Sequence, residues 1–145
     1  MSVPEGLRGT GRLEVIEKAL DLADYTITIT ANSKIFLPEY QRSLTDDINR
    51  IALAIYVDAW TANNIKVTNE ESYMERRRLQ ERAARNCNNL LALMQLAQKV
   101  FHLKLKRIKF WGEKTLNVRG LLRAWRESDY KRYAEALKMR SLMAL

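Results

Sequence analysis

The sequence predicts an all-α fold, an up-down-up-down four-helix bundle with a short extra helix at its C-terminal end. Three observations carry this. Apolar side chains recur with helical period in four long stripes, only two prolines and five glycines interrupt 145 residues, and the stretches between stripes are a few residues long. With 47% hydrophobic residues the chain has the material for one modest core. The expected division is a flexible segment over 1–11, the bundle over 12–128 and a helical tail over 129–145.

The first helix is expected from about 12 to 34, where Leu13, Ile16, Leu20, Ala23, Ile27 and Thr30/Ala31 follow a 3-4 rhythm. The run "YTITIT" inside it alternates like a strand, and threonine and isoleucine favour sheets. It is read as helix because the alternation is embedded in five turns of helical periodicity and no partner strand is visible. Pro38 and the N-cap candidate Ser43, followed by Asp46 and Asp47 at the positive end of the dipole, announce the second helix. Its stripe is Leu44, Ile48, Ile51, Ile55, Ala59 and Ala62.

After the loop "NNIKVTN", Asn69 with Glu70 and Glu71 repeats the capping logic for a third helix. Its inward face reads Leu79, Ala83, Asn86, Leu90, Leu93/Met94, Ala97 and Val100/Phe101. The next stretch, "VFHLKLKRIKFWGEK", alternates apolar and cationic residues, but the parity slips at Arg107-Ile108. From there Ile108, Trp111, Thr115, Val118, Leu122 and Trp125 keep unbroken helical spacing, so "HLKL" is the turn and "KRIKFW" opens the fourth helix. A short fifth helix is expected from Ser128, with Tyr130, Tyr133, Leu137 and Leu142 on one side.

Several chemistries find no support in this pattern. One cysteine cannot form an internal disulfide, and one histidine with one cysteine cannot make a zinc site, so no metal or cofactor is expected. The carboxylate pairs Asp46-Asp47 and Glu70-Glu71 fit first turns of helices better than acid-base work. His102 has no nucleophile at a recognisable spacing, Cys87 reads as a small core residue, and "GTG" at 9–11 is too short for a phosphate loop. No catalytic residue is assigned. No apolar run is long enough to span a membrane and no secretory leader is visible, so a cytoplasmic location is expected.

Charge is the informative feature. Residues 1–72 carry 7 Lys/Arg against 11 Asp/Glu, net −4, whereas residues 73–145 carry 18 against 6, net +12. A polyanionic partner, nucleic acid or an anionic membrane surface, is one reading; a solvated surface is the other. On the third helix Arg78, Arg82, Arg85 and Asn89 fall on one ridge, while Arg77, Asn88 and Lys99 share a second. On the fourth, Lys109, Arg119, Arg123 and Arg126 flank the apolar stripe, and Lys104, Lys106 and Arg107 cluster at its start. Between residues 72 and 128 the acids are only Glu75, Glu81, Glu113 and Glu127. Such rows suit sequence-independent phosphate contacts. An interfacial membrane helix fits less well, because the apolar faces are already needed by the bundle.

Two features point to assembly. Asn86 lies inside an apolar arc, where it either fixes register between subunits or bonds locally. Leu116, Leu121, Tyr130, Tyr133 and Leu137 exceed what one small bundle buries, marking a candidate subunit or partner contact.

The segment "FLPEYQRSLTDDINRIALAI" resembles the entry to helix two in four-helix-bundle proteins encoded in large-subunit rRNA intervening sequences. The segment "LALMQLAQKVFHLKLKRIKFWGEKTLNVRGLLRAWRES" is similar to the accessory variability determinant of diversity-generating retroelements, in the turn from Leu103 to Arg107 and in Trp125 followed by Ser128. The likeness covers roughly residues 13–128; "ERRRLQERAARN" and the tail after Ser128 depart from it. The resemblance implies a non-enzymatic, basic, pentameric bundle that binds template RNA and cDNA and partners a reverse transcriptase in mutagenic retrohoming. An RNA-binding bundle without a polymerase partner and a plain helical scaffold remain the alternatives.

Overall fold

The computed structural model describes residues 11–137. Four helices carry the fold: α1 (Gly11–Thr30), α2 (Asp46–Asn64), α3 (Glu70–Phe101) and α4 (Leu105–Asp129). Each packs on its chain neighbours and α4 closes back onto α1, forming a four-helix bundle with no strand among the described residues. The expected flexible segment lies outside the described residues up to position 10, with Gly11 already opening α1; Leu142 of the expected tail also lies outside them.

The "YTITIT" run is helical throughout. Thr26 Oγ1 donates to the Leu22 carbonyl and Thr30 Oγ1 to the Thr26 carbonyl, both at 2.8 Å, so the hydroxyls are satisfied within the helix. That lets α1 turn a mixed face inward: Val15, Ala19, Leu22, Thr26 and Ile29 are buried, with Ile16, Ala23 and Thr30 beside them. The expected stripe is therefore rotated. Leu20 and Ile27 fall past its edge and are about half exposed.

Between α1 and α2 the chain folds through a 3-10 turn (Pro38–Tyr40) and a π-helical turn (Gln41–Thr45) that runs directly into α2. Ser43 is consequently not the N-cap. It lies inside the π turn and its hydroxyl faces the Tyr40 carbonyl, while α2 begins without a capping side chain. Phe36, held by this connection, plugs the bundle end against Phe101 (4.9 Å between centroids) and Trp111 (6.3 Å).

The start of α3 follows the expected capping. Asn69 accepts from the Ser72 amide at 2.8 Å and Ser72 Oγ accepts from the Asn69 amide at 3.1 Å, a reciprocal capping box. Its buried face runs Leu79, Ala83, Cys87, Leu90, Met94, Ala97 and Phe101, so Cys87 takes the core place expected for Asn86. Asn86 is only partly buried and accepts a hydrogen bond from Asn89, one turn on. Helix α3 stops at His102, in the left-handed region (φ 53°, ψ 48°), and three residues later α4 begins. Helix α4 buries Trp111, Thr115, Val118, Leu122 and Trp125 as expected. The extra C-terminal helix is modest: a π turn (Tyr130–Ala134) continues α4 without a break and passes into one further helical turn within the described residues.

Candidate nucleic-acid interface

The cations named from the sequence divide into three groups according to which helix they face. On the α2 side of α3, Arg78, Arg82 and Arg85 are exposed, but their circumstances differ. Arg82 donates from Nε and Nη2 to the buried Asp58 of α2, at 2.8 and 2.7 Å. This bidentate hydrogen bond raises the guanidinium pKa above its ordinary value, and the charge is neutralised locally. Arg78 and Arg85 have no carboxylate partner among the described residues, although Glu71, Glu75 and Glu81 share a shallow groove with Arg78.

The second group lies along the seam of α3 and α4. Arg77 donates to Tyr73 Oη at 3.1 Å and to Glu81 at 3.0 Å, and its guanidinium covers the Tyr130 ring at 5.5 Å. The bond to Tyr73, then that to Glu81, holds its pKa above the usual value. Arg126 approaches the same Glu81 at 3.8 Å. Arg119 donates to Asn88 at 2.8 Å, joining the second expected ridge to α4. Arg119 and Arg123 both stand near Cys87, whose thiol is buried. Burial pushes that thiol up to about 12, against the opposing pull of the two arginines, so Cys87 is no nucleophile at neutral pH.

The third group, Lys104, Lys106 and Arg107, sits at the start of α4 on the side facing α1, where Tyr25 and Phe110 adjoin it. Lys109 is exposed on the same helix. The eleven cations thus form three neighbouring patches rather than one continuous ridge.

The tail residues are partly used by the chain itself. Tyr133 is half-buried, 6.2 Å from the Tyr73 ring, whereas Tyr130 is exposed beneath Arg77 and Leu137 is half-buried.

Sequence reading missed Arg76. It is buried, donates from Nε and Nη2 to Asp129 at 2.7 and 3.0 Å, and lies over Trp125 (5.1 Å) and Tyr133 (5.8 Å). Gln80 donates to the same Asp129 at 2.7 Å. The signal was present: Arg76 precedes Leu79 and Ala83 by three and seven residues, on the core side of the helix.

No family model matches the chain, and no curated protein or solved structure matches it. No described helix is long and apolar enough to cross a membrane.

Proposed function

We propose that this chain is a non-enzymatic nucleic-acid-binding bundle, the accessory protein of a diversity-generating retroelement, holding template RNA or cDNA for the element's reverse transcriptase in the cytoplasm. One observation carries the binding part. Of the eleven cations named from the sequence, only Arg77, Arg82 and Arg126 have ion-pair partners among the described residues; the other eight, on α3, at the start of α4 and along it, make none. Uncompensated cations gain affinity for a polyanion by releasing its condensed counterions. The retroelement assignment and the pentamer rest on the resemblance at Leu103–Arg107, Trp125 and Ser128.

A homo-oligomer multiplies weak phosphate contacts into avidity. Leu53, Val57 and Trp60, spaced as one outer ridge of α2 and each about half exposed, support a subunit or partner contact. Of the tail residues Tyr130, Tyr133 and Leu137, the exposed Tyr130 is the candidate for the reverse transcriptase.

The rRNA intervening-sequence type without a polymerase is the second reading, favoured by the "FLPEYQRSLTDDINRIALAI" entry to α2. Binding is tested by titrating duplex DNA at several salt concentrations, with an expected log-log slope of about −0.9 per phosphate contacted. A salt-independent or undetectable affinity removes the nucleic-acid role. Co-expression with a neighbouring reverse transcriptase, then nuclease treatment during purification, tests the partnership: a complex that dissolves on digestion leaves only the RNA-binding reading.

A further inference from the structure

The α1–α4 edge of the bundle carries an open groove of about 360 Å³ lined by Tyr25, Lys104, Lys106, Arg107 and Phe110. Its composition is unusual for a solvated surface. Phe110 is half exposed, and its ring meets Tyr25 nearly edge-on, with centroids 5.2 Å apart and planes at 69°. An edge-on pair leaves an aromatic face open rather than stacked away. Lys114 lies over both rings, 5.6 Å from the Tyr25 centroid and 5.0 Å from that of Phe110, and reaches Asp21 at 3.8 Å, so it takes one side of the pair and the half-exposed remainder of the Phe110 ring is what a base can meet.

The cations of the groove stand where the fold does not favour them. Lys104, Lys106 and Arg107 occupy the N-cap and first turn of α4, the positive end of its dipole. That turn has no acidic residue and no capping side chain. Three cations added to a positive helix end repel one another, and an anion held there relieves the repulsion. An anion beside an open aromatic face is the chemistry of an unpaired nucleotide: a phosphate for the cations and a base for the ring.

We infer that this groove takes an unpaired nucleotide of single-stranded nucleic acid, its base stacked on Phe110 against Tyr25 and its backbone phosphates held by Lys104, Lys106 and Arg107. The inference rests on the nucleic-acid reading above and adds a base-contacting site to it. It divides the labour between an α1–α4 edge that grips unpaired bases and α3–α4 patches that contact phosphates alone.

The test compares the full chain with its Phe110→Leu and Phe110→Trp variants. The probes are oligothymidylate, an abasic deoxyribose-phosphate chain of equal length, blunt duplex DNA and phosphatidylserine vesicles. The parent should prefer oligothymidylate to the abasic chain by about tenfold, the contribution of one stacked base. Phe110→Leu, which keeps an apolar side chain at a half-exposed position, should lose that preference while duplex affinity and salt slope stay unchanged. Phe110→Trp should keep it, and its added indole emission should be quenched by oligothymidylate and not by the abasic chain, a readout that stands even if the leucine variant folds poorly. Equal affinity of the parent for the two chains, or a preference that survives Phe110→Leu, overturns the base site and leaves phosphate binding intact. Vesicle binding that Phe110→Leu abolishes, with oligothymidylate affinity untouched, overturns it in favour of a lipid surface. A parent that binds no nucleic acid at ~0.15 M salt overturns the underlying reading as well.

Discussion

Arg76 near the start of α3 and Asp129 at the end of α4 form a two-point ion pair with both side chains buried, joining residues 53 positions apart in sequence. Arg76 Nη1 also reaches the Ile65 carbonyl at 3.4 Å, so the α2–α3 loop, α3 and the end of α4 meet at one guanidinium. Removing either partner strands the other charge in the core. Arg76→Ala or Asp129→Ala should each lower the unfolding free energy by about 3–5 kcal/mol, and the pair Arg76→Met/Asp129→Leu by less than either single change. Urea unfolding checks this; a parental midpoint in Arg76→Ala would show that the pair does not hold the helices together.

The α3 ridge should respond unevenly to charge reversal. Arg82→Glu places a second carboxylate against the buried Asp58 and should cost about 1 kcal/mol or somewhat more, the half-exposed guanidinium being partly screened. Arg85→Glu, which breaks no ion pair, should leave the unfolding midpoint unchanged and weaken duplex binding, and Arg78→Glu, which adds a fourth carboxylate to the groove of Glu71, Glu75 and Glu81, should weaken binding at a smaller cost of about 0.5 kcal/mol. Equal loss of stability in all three would contradict the distinction.

Cys87 makes stability depend on alkaline pH. The folded state keeps the thiol protonated up to about 12, whereas an unfolded cysteine ionises near ~8.5. The unfolded chain therefore releases a proton that the folded chain retains, and stability falls as pH rises through that window. Cys87→Ala removes this component, so its stability should decline less steeply above pH ~9 than the parent's. A thiol reagent at neutral pH should label the parent only as fast as it unfolds; rapid labelling of the native protein would mean the side chain is accessible.

Assembly through the outer ridge of α2 predicts that Val57→Glu dissociates the oligomer without loss of helicity, because Val57 is outside the core of its own subunit. Light scattering of parent and variant decides it. A parent that is already monomeric at micromolar concentration removes the pentamer, and an unchanged mass in Val57→Glu moves the interface elsewhere.

How much of this was legible in the sequence follows from what each residue's signal depended on. The stripes of α2, α3 and α4 are legible to within one residue because their buried positions are dominated by apolar side chains: period places the faces, while Ala52 rather than Ile51 and Cys87 rather than Asn86 turn fully inward. Helix α1 is legible as a helix, but its period points to Leu20 and Ile27 rather than to the buried face, because Thr26 and Thr30 hide their hydroxyls against the backbone and count as polar in any pattern. Arg76 and Asp58 were passed over for the same reason: charged residues in core register are rare, and only tertiary partners justify them. The π turns at Gln41–Thr45 and Tyr130–Ala134 carry no composition signal. The groove at Tyr25 and Phe110 joins residues 85 positions apart, which no local spacing can bring together.

Trp111 donates from Nε1 to Thr26 Oγ1 at 3.0 Å across the buried contact of α4 with α1. Apolar side chains alone would allow two neighbouring helices to slide or roll past one another at small cost, since one leucine replaces another. A single directional bond removes that tolerance. Sliding α4 by one turn towards Leu22, or rolling it, would leave the indole hydrogen facing hydrocarbon as a dry, unpaired donor. The bundle thus has a vernier mark: Thr26→Val, close to isosteric, should erase it, and the single indole cross-peak of Trp111 in an NMR spectrum should split into several, one for each slowly exchanging alignment, before the fold itself is lost.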